Sequence, residues 1–172
     1  MKKRLFLGFS PDTEQIQSLL RLQSALPGPC NPVPPTNLHM TLAFLGPLSQ
    51  AQQQQLIQSL NQMDKPSFSV TLDKLCLWQK PRILCLTGAP SDAALKQMAI
   101  QTQLMAAHLG LHQSEYDYQP HITLCRKAYI LPQHIKVPAL TLKPTQLHLY
   151  HSHNPGDGVR YRILKSWPLD KA

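Results

Sequence analysis

His39-Met40-Thr41-Leu42 returns later in the chain as His121-Ile122-Thr123-Leu124. Both phrases read His, apolar, Thr, apolar. In an extended chain successive side chains alternate faces, so His39 and Thr41 point one way and Met40 and Leu42 the other. The same holds for His121 and Thr123. Each phrase therefore offers an imidazole and a hydroxyl on one face of a strand and a greasy pair on the opposite face. Fewer than ~0.1 such phrases are expected by chance in a chain of this composition, so a matched pair is informative. The plainer reading is two half-buried strand histidines beside β-branched neighbours.

Around the first phrase a strand is expected over 38–45, stopped by Gly46-Pro47. Upstream, 4–9 reads as a strand. Ser10 is expected to cap a helix with Pro11 at its first position, where a missing N–H costs nothing. Ile16, Leu19, Leu20 and Leu26 form its apolar face, and a Pro-rich loop runs from Cys30 to Pro35. Downstream, Ser49 with Gln52 makes a capping-box pattern for a second helix whose apolar side carries Leu56, Ile57, Leu60 and Met63. Its Gln52–Gln55 run reads as a solvated face.

Residues 67–78 and 82–88 read as a strand pair turning at Gln79-Lys80-Pro81. Ser91-Asp92 should cap a third helix with Leu95, Met98, Ala99, Thr102 and Met105 inward and Gly110 as its stop. The second phrase lies in a strand starting near Pro120. Two late strands, 145–152 and 159–167, flank a turn at Asn154–Gly158. The histidines stand 82 residues apart, about half the chain. This points to one domain over 1–172, an α+β fold of two related lobes that each offer one His-x-Thr strand to a central groove.

Composition narrows the function. The chain has 172 residues, 17 Lys and Arg against 9 Asp and Glu, and a formal charge of +8. That balance favours an anionic partner such as nucleic acid or a phosphorylated small molecule. There is no dense basic run to grip duplex DNA. No run of ~18 apolar residues is present to span a membrane. The opening Met1–Phe9 is too short in its apolar part for a signal peptide and is broken by Ser10-Pro11-Asp12. Cys30, Cys76, Cys85 and Cys125 form no Cys-x-x-Cys pair and read as reduced core residues of a cytoplasmic protein. His148, His151 and His153 lie close together, but no Cys or Glu at zinc spacing accompanies them, and a strand end is the better reading. Neither a Gly-rich phosphate loop nor a Gly-x-Ser-x-Gly elbow occurs.

Two histidines flanking one phosphate can do acid–base chemistry without a metal or other cofactor. One neutral imidazole takes a proton from a nucleophile, and a second, protonated, gives one to the leaving oxygen. Thr41 and Thr123 would donate to the non-bridging oxygens, and a cation would hold the extra charge. Arg126 is the candidate cation. Strict alternation turns it away from His121, so it reaches the groove only if the strand ends or bulges near Cys125.

Asn37–Gly46 and Pro120–Arg126 resemble the two signatures of the 2H phosphoesterase superfamily, and most closely its RNA 2′,3′-cyclic phosphodiesterase branch, the ThpR or LigT family long labelled 2′-5′ RNA ligases. Arg4–Phe9 and Gly158–Leu169 also match that branch, so the resemblance covers essentially the whole chain. It implies two lobes related by a pseudo-twofold, with antiparallel sheets lining a groove and helices outside. It implies metal-independent hydrolysis of a terminal 2′,3′-cyclic phosphate on RNA to a 2′-phosphate, by a monomer with no obligate protein partner. Carried over, His39 is the general acid, His121 the general base, and Thr41, Thr123 and Arg126 bind phosphate. Alternatives stay open. The same site could perform 2′-5′ ligation or act on a small cyclic nucleotide. A non-catalytic RNA-end binder would need stacking aromatics, for which Phe9, Phe44 and Tyr118 are available but read better as core.

Overall fold

The computed structural model describes residues 1–90 and 92–171. Its elements run β1 (Lys3–Phe9), α1 (Thr13–Ala25), β2 (Asn31–Pro32), β3 (Met40–Leu48), α2 (Gln50–Gln62), β4 (Val70–Leu72), β5 (Lys74–Gln79), β6 (Arg82–Thr87), α3 (Ala93–His108), β7 (His121–Arg126), β8 (Leu140–Leu142), β9 (Gln146–His153) and β10 (Arg160–Pro168), with a 3₁₀ turn at Pro35–Asn37. Eight strands make one antiparallel sheet in the order β10-β9-β1-β3-β7-β6-β5, with β2 added on β7. β4 and β8 form a separate two-stranded ribbon.

The sheet divides at its middle. β3 and β7 share a single paired position, Met40 opposite Ile122, and then part. These are the second residues of the two repeated phrases. An antiparallel pair centred on equivalent residues relates the phrases by a local twofold axis.

One face of the sheet is the core. Leu5, Leu7, Met40, Leu42, Leu86, Ile122, Leu124, Leu147 and Leu149 are all at most 4% exposed. This is the burial that alternation assigned to the apolar halves of both phrases. Packing on α1 also resolves a local polar problem: Gln23 donates to the carbonyls of Val33 and Leu124, at 3.0 and 2.8 Å. Gly8 faces the opposite side, paired with Thr41. A Cβ there would lie 2.8 Å from the Met40 carbonyl oxygen. Glycine therefore lets β1 and β3 approach where the first phrase passes.

Several expectations hold. Ser49 and Gln52 form the capping box of α2, with Leu56 and Leu60 buried. Asp92 caps α3, and Gly110 follows it with φ +69. Ser91, the other cap expected there, lies outside the described residues. β9 and β10 match the late strands within a residue or two, and the four cysteines are free thiols. No helix is long and apolar enough to cross a membrane, among the described residues.

Others are corrected. Asp12, not Ser10, caps α1, because Asp12 and Gln15 exchange both bonds of a capping box. The Ser10 hydroxyl instead meets the Tyr150 hydroxyl at 2.6 Å. β3 begins at Met40 and runs through Gly46-Pro47 to Leu48. Past Met40 its β7-side edge is no longer paired, and strands tolerate proline at such an edge. The strand expected over 67–78 splits at Asp73. Val70–Leu72 leaves the sheet to pair with Leu140–Leu142, and only Lys74–Gln79 forms the hairpin with β6.

Candidate active site

The pairing of Met40 with Ile122 fixes the neighbourhood. One step either way along an antiparallel register sets His39 opposite Thr123 and Thr41 opposite His121. Directly opposed residues are about 5 Å apart and diagonal ones about 7–8 Å. His39 and His121 fall on a diagonal, on the same face as both threonines. The phrases thus meet on the face opposite their buried apolar residues, beside Thr102, Gln103 and Ala106 of α3.

Each phrase ends in the same irregularity. Gly8 pairs with Thr41 and Leu7 with Ala43, so Leu42 is an extra residue on β3. Cys85 pairs with Thr123 and Leu84 with Cys125, so Leu124 is an extra residue on β7. A bulge shifts the alternation by one. The fifth residue after each histidine therefore returns to the groove face. In one half that residue is Phe44, 58% exposed. In the other it is Arg126. The bulge that the sequence reading required for Arg126 is present, one residue before Cys125.

Both histidines also carry the same backbone lock. His39 Nδ1 donates to the carbonyl of Asn37 at 2.7 Å, and His121 Nδ1 to that of Gln119 at 2.9 Å. A carbonyl only accepts, so the proton of each neutral ring sits on Nδ1 and Nε2 is left with a free lone pair. His39 Nε2 and the Thr41 hydroxyl are 2.9 Å apart. Tyr118 donates to the Thr41 carbonyl at 2.9 Å and steadies that strand.

The surroundings then differ. His39 sits in an aromatic cage, 4.8 Å from the Phe6 ring, 5.1 Å from the edge-on Tyr161 ring and 5.9 Å from Tyr150. Its burial, together with the nearby positive charges of His121 and Arg126, pushes its pKa down to about 4 against the opposing pull of the Asn37 carbonyl. His121 packs on Trp78, 4.4 Å between ring centres. Burial lowers its pKa as well, and the Gln119 carbonyl opposes this. Arg126 reaches across the divide, its guanidinium donating to the Tyr161 hydroxyl at 3.2 Å.

All five residues singled out in the sequence thus lie on one face around the place where the halves meet. The histidine trio at the other end does not form a cluster. His148 faces the groove and shares a 2.6 Å hydrogen bond with Ser166. His151 and His153 face the other side with stacked rings. Among the described residues no three His, Cys, Asp or Glu side chains come together as a metal site. Of the three aromatics weighed for stacking, Phe9 is fully buried and Tyr118 half-buried, but Phe44 stands out on the groove face, contrary to its reading as core. Phe6, Trp78, Tyr150 and Tyr161 were missed as site residues. Each reaches the histidines from a strand distant in sequence.

The LigT-like phosphoesterase family pattern matches residues 9–85. The RNA 2′,3′-cyclic phosphodiesterase of Escherichia coli is 33% identical over 147 residues, covering 80% of this chain and 79% of that protein. The protein of the same name from Aquifex aeolicus is 27% identical, covering 73% and 72%. A solved structure of E. coli LigT complexed with 3′-AMP superposes with a TM-score of 0.88 at 29% identity, over 99% of this chain and 100% of that one. With the sequence relation spanning most of both chains and the sheet superposing along its length, this protein belongs to the LigT branch of the 2H phosphoesterases, the RNA 2′,3′-cyclic phosphodiesterase family.

Proposed function

We propose that this protein hydrolyses the 2′,3′-cyclic phosphate at an RNA end to a 2′-phosphate, without a metal. The observation that carries the proposal is the doubled lock: two imidazoles, each held by a carbonyl on Nδ1, present Nε2 from two strands that share one register. In this reading the cyclic phosphate lies between them. His121 Nε2 accepts a proton from water as its oxygen attacks phosphorus. The bond from phosphorus to the 3′ oxygen breaks, and that oxygen takes a proton from His39 Nε2. The products are a 2′-phosphate and a free 3′-hydroxyl. Thr41, Thr123 and Arg126 stabilise the charge gathering on the non-bridging oxygens.

His39 is neutral in the free protein at pH 7, since burial and its cationic neighbours lower its pKa to about 4. An anionic phosphodiester beside it acts in the opposite sense and favours the proton that the leaving oxygen needs. The repeated phrase, bulge and lock also support reading the chain as one domain of two similar lobes. We take the enzyme to be a monomer, because both histidines come from one chain, and cytoplasmic, given its four free thiols.

The test is hydrolysis of an RNA oligonucleotide with a 2′,3′-cyclic phosphate end in the presence of EDTA. Undiminished release of the 2′-phosphate product is expected. Loss of activity on chelation, or a 3′-phosphate product, contradicts the mechanism. One observation favours a second reading. A cavity of about 430 Å³ beside His121, lined by Trp78, Phe44, Tyr116 and Tyr118, is far larger than a water molecule requires. An RNA 5′-hydroxyl in place of water would give 2′-5′ ligation. Incubating the cyclic-phosphate RNA with a 5′-hydroxyl RNA and probing for the joined strand separates the two readings.

A further inference from the structure

The carbonyl locks on the two histidines are supported in different ways, and one of them depends on side chains. In the first half the backbone suffices. Leu38 N–H donates to the Pro35 carbonyl at 3.3 Å, and Asn37 N–H to that of Pro34 at 2.9 Å. A peptide group is planar, so pinning the Leu38 N–H also fixes the Asn37 carbonyl, which points the other way and meets His39 Nδ1.

In the second half Pro120 takes the place of Leu38. Proline has no N–H, so the peptide group that carries the Gln119 carbonyl cannot be pinned in that way. Two side chains do it instead. Gln119 Nε2 donates to Thr87 Oγ1 at 2.7 Å and to the Gly88 carbonyl at 2.9 Å. An amide nitrogen has two hydrogens, and both are engaged. Thr87 Oγ1 in turn donates to the Pro120 carbonyl at 3.0 Å. The Gln119 carbonyl therefore lies between two tethered points, its own side chain and the carbonyl that follows. The anchor is firm. Thr87 is 7% exposed and pairs with His121 across β6 and β7. A Cβ on Gly88 would fall 1.9 Å from the Thr71 carbonyl oxygen, so glycine lets this end of the strand lie against β4.

We infer that Gln119 and Thr87 are positioning residues for His121: together they hold the Gln119 carbonyl on Nδ1, which keeps the ring proton there and leaves the Nε2 lone pair to the groove. Both act through His121 rather than on the phosphate. The inference rests on the proposed reading of His121 as the base. An imidazole whose proton sits on Nε2 has no lone pair to offer water, so the clamp sets the fraction of molecules in the competent tautomer.

The experiment reads the tautomer directly, with the reaction beside it. Gln119→Met keeps the length of the side chain without its donors, and Thr87→Val keeps the shape without the hydroxyl. In each, NMR of the ring nitrogens at about pH 8 should show part of the His121 population protonated on Nε2, while His39 stays on Nδ1. Thr87→Ser, which retains the hydroxyl, should return His121 to Nδ1. On a cyclic-phosphate RNA end, kcat in Gln119→Met and Thr87→Val should fall about ten- to a hundredfold, the scale on which groups that orient a functional histidine act, with KM little changed. The two losses should not multiply when combined, because the bonds form one clamp. An unchanged His121 tautomer in the variants overturns the inference, and so does a rise in KM at constant kcat, which would make Gln119 a substrate contact. Finding the His121 proton on Nε2 in the wild-type protein overturns it without any variant, so the test survives a substitution that fails to fold. If the cyclic phosphate is not hydrolysed at all, the function proposed above fails, while the tautomer still decides whether the clamp exists.

Discussion

The two halves of the groove use one backbone device and put it to different use. His39 and His121 share the carbonyl lock on Nδ1, the threonine two residues on and the bulged leucine after it. The fifth residue then diverges, to Phe44 in one half and Arg126 in the other. So do the walls, with a cage of Phe6, Tyr150 and Tyr161 around His39 and a single Trp78 against His121. Repeating a geometry yields two aligned imidazoles. The environments are unequal as well: burial holds the pKa of His39, the proposed acid, at about 4 in the free protein, so in this reading the anion beside it must restore the proton it gives.

The comparison breaks most severely if either imidazole is dispensable. His39→Ala and His121→Ala should each lower kcat by roughly 10²–10⁴, the usual worth of a general acid or base. The double variant should be little slower than the worse single one, since the two act as a unit. Kinetics on all three variants test this, and multiplicative losses would show two independent contributions.

The unequal fifth residues sharpen it next. Arg126→Ala removes the cation whose charge is felt at His39 and should lower kcat/KM by about 10²–10³, as loss of a charge-stabilising donor does. Phe44→Ala, at the equivalent place in the other half, should act mainly through KM. If the two substitutions give the same kinetic pattern, the halves do not divide the work as described.

The smallest expected effect is on stability. An unfolded histidine takes up its proton near pH 6.5. Folded His39 resists until about pH 4, chiefly because it is buried. Between those values the unfolded chain binds more protons, so stability falls as pH falls through the window. The loss should reach about 2–3 kcal/mol for this one group. Urea unfolding at pH 7 and at pH 4.5 should show a shallower pH dependence in His39→Phe than in the wild-type protein.

Much of this was legible before the fold was known, and for reasons that can be named. The alternation within His39–Leu42 and His121–Leu124 depends only on extended backbone, so the facing of both histidines and threonines followed directly. The Ser49–Gln52 capping box is likewise local, and it appeared as expected. The Arg126 position depends on a bulge at Leu124, where one strand must accommodate its neighbour. The phrase His-x-Thr-Leu states the need for it but not its presence. Phe44 was misjudged for the same reason, since the Leu42 bulge reverses its face. Trp78 and Tyr161 reach the site only through pairings made far along the chain, and the ribbon of Val70–Leu72 with Leu140–Leu142 joins segments too short to declare themselves. Local geometry was readable, and the partners that long-range pairing supplies were not.

The claim beneath all of this is that His39 and His121 serve a single phosphate with unequal proton affinities. It is tested most directly by NMR of the ring nitrogens of both histidines, titrated from pH 4 to 8 with and without adenosine 2′-monophosphate. The account predicts that both rings carry their proton on Nδ1 in the free protein at pH 7. On binding the nucleotide both should gain proton affinity together, His39 from the lower starting value. A nucleotide that perturbs one ring and leaves the other untouched would contradict it.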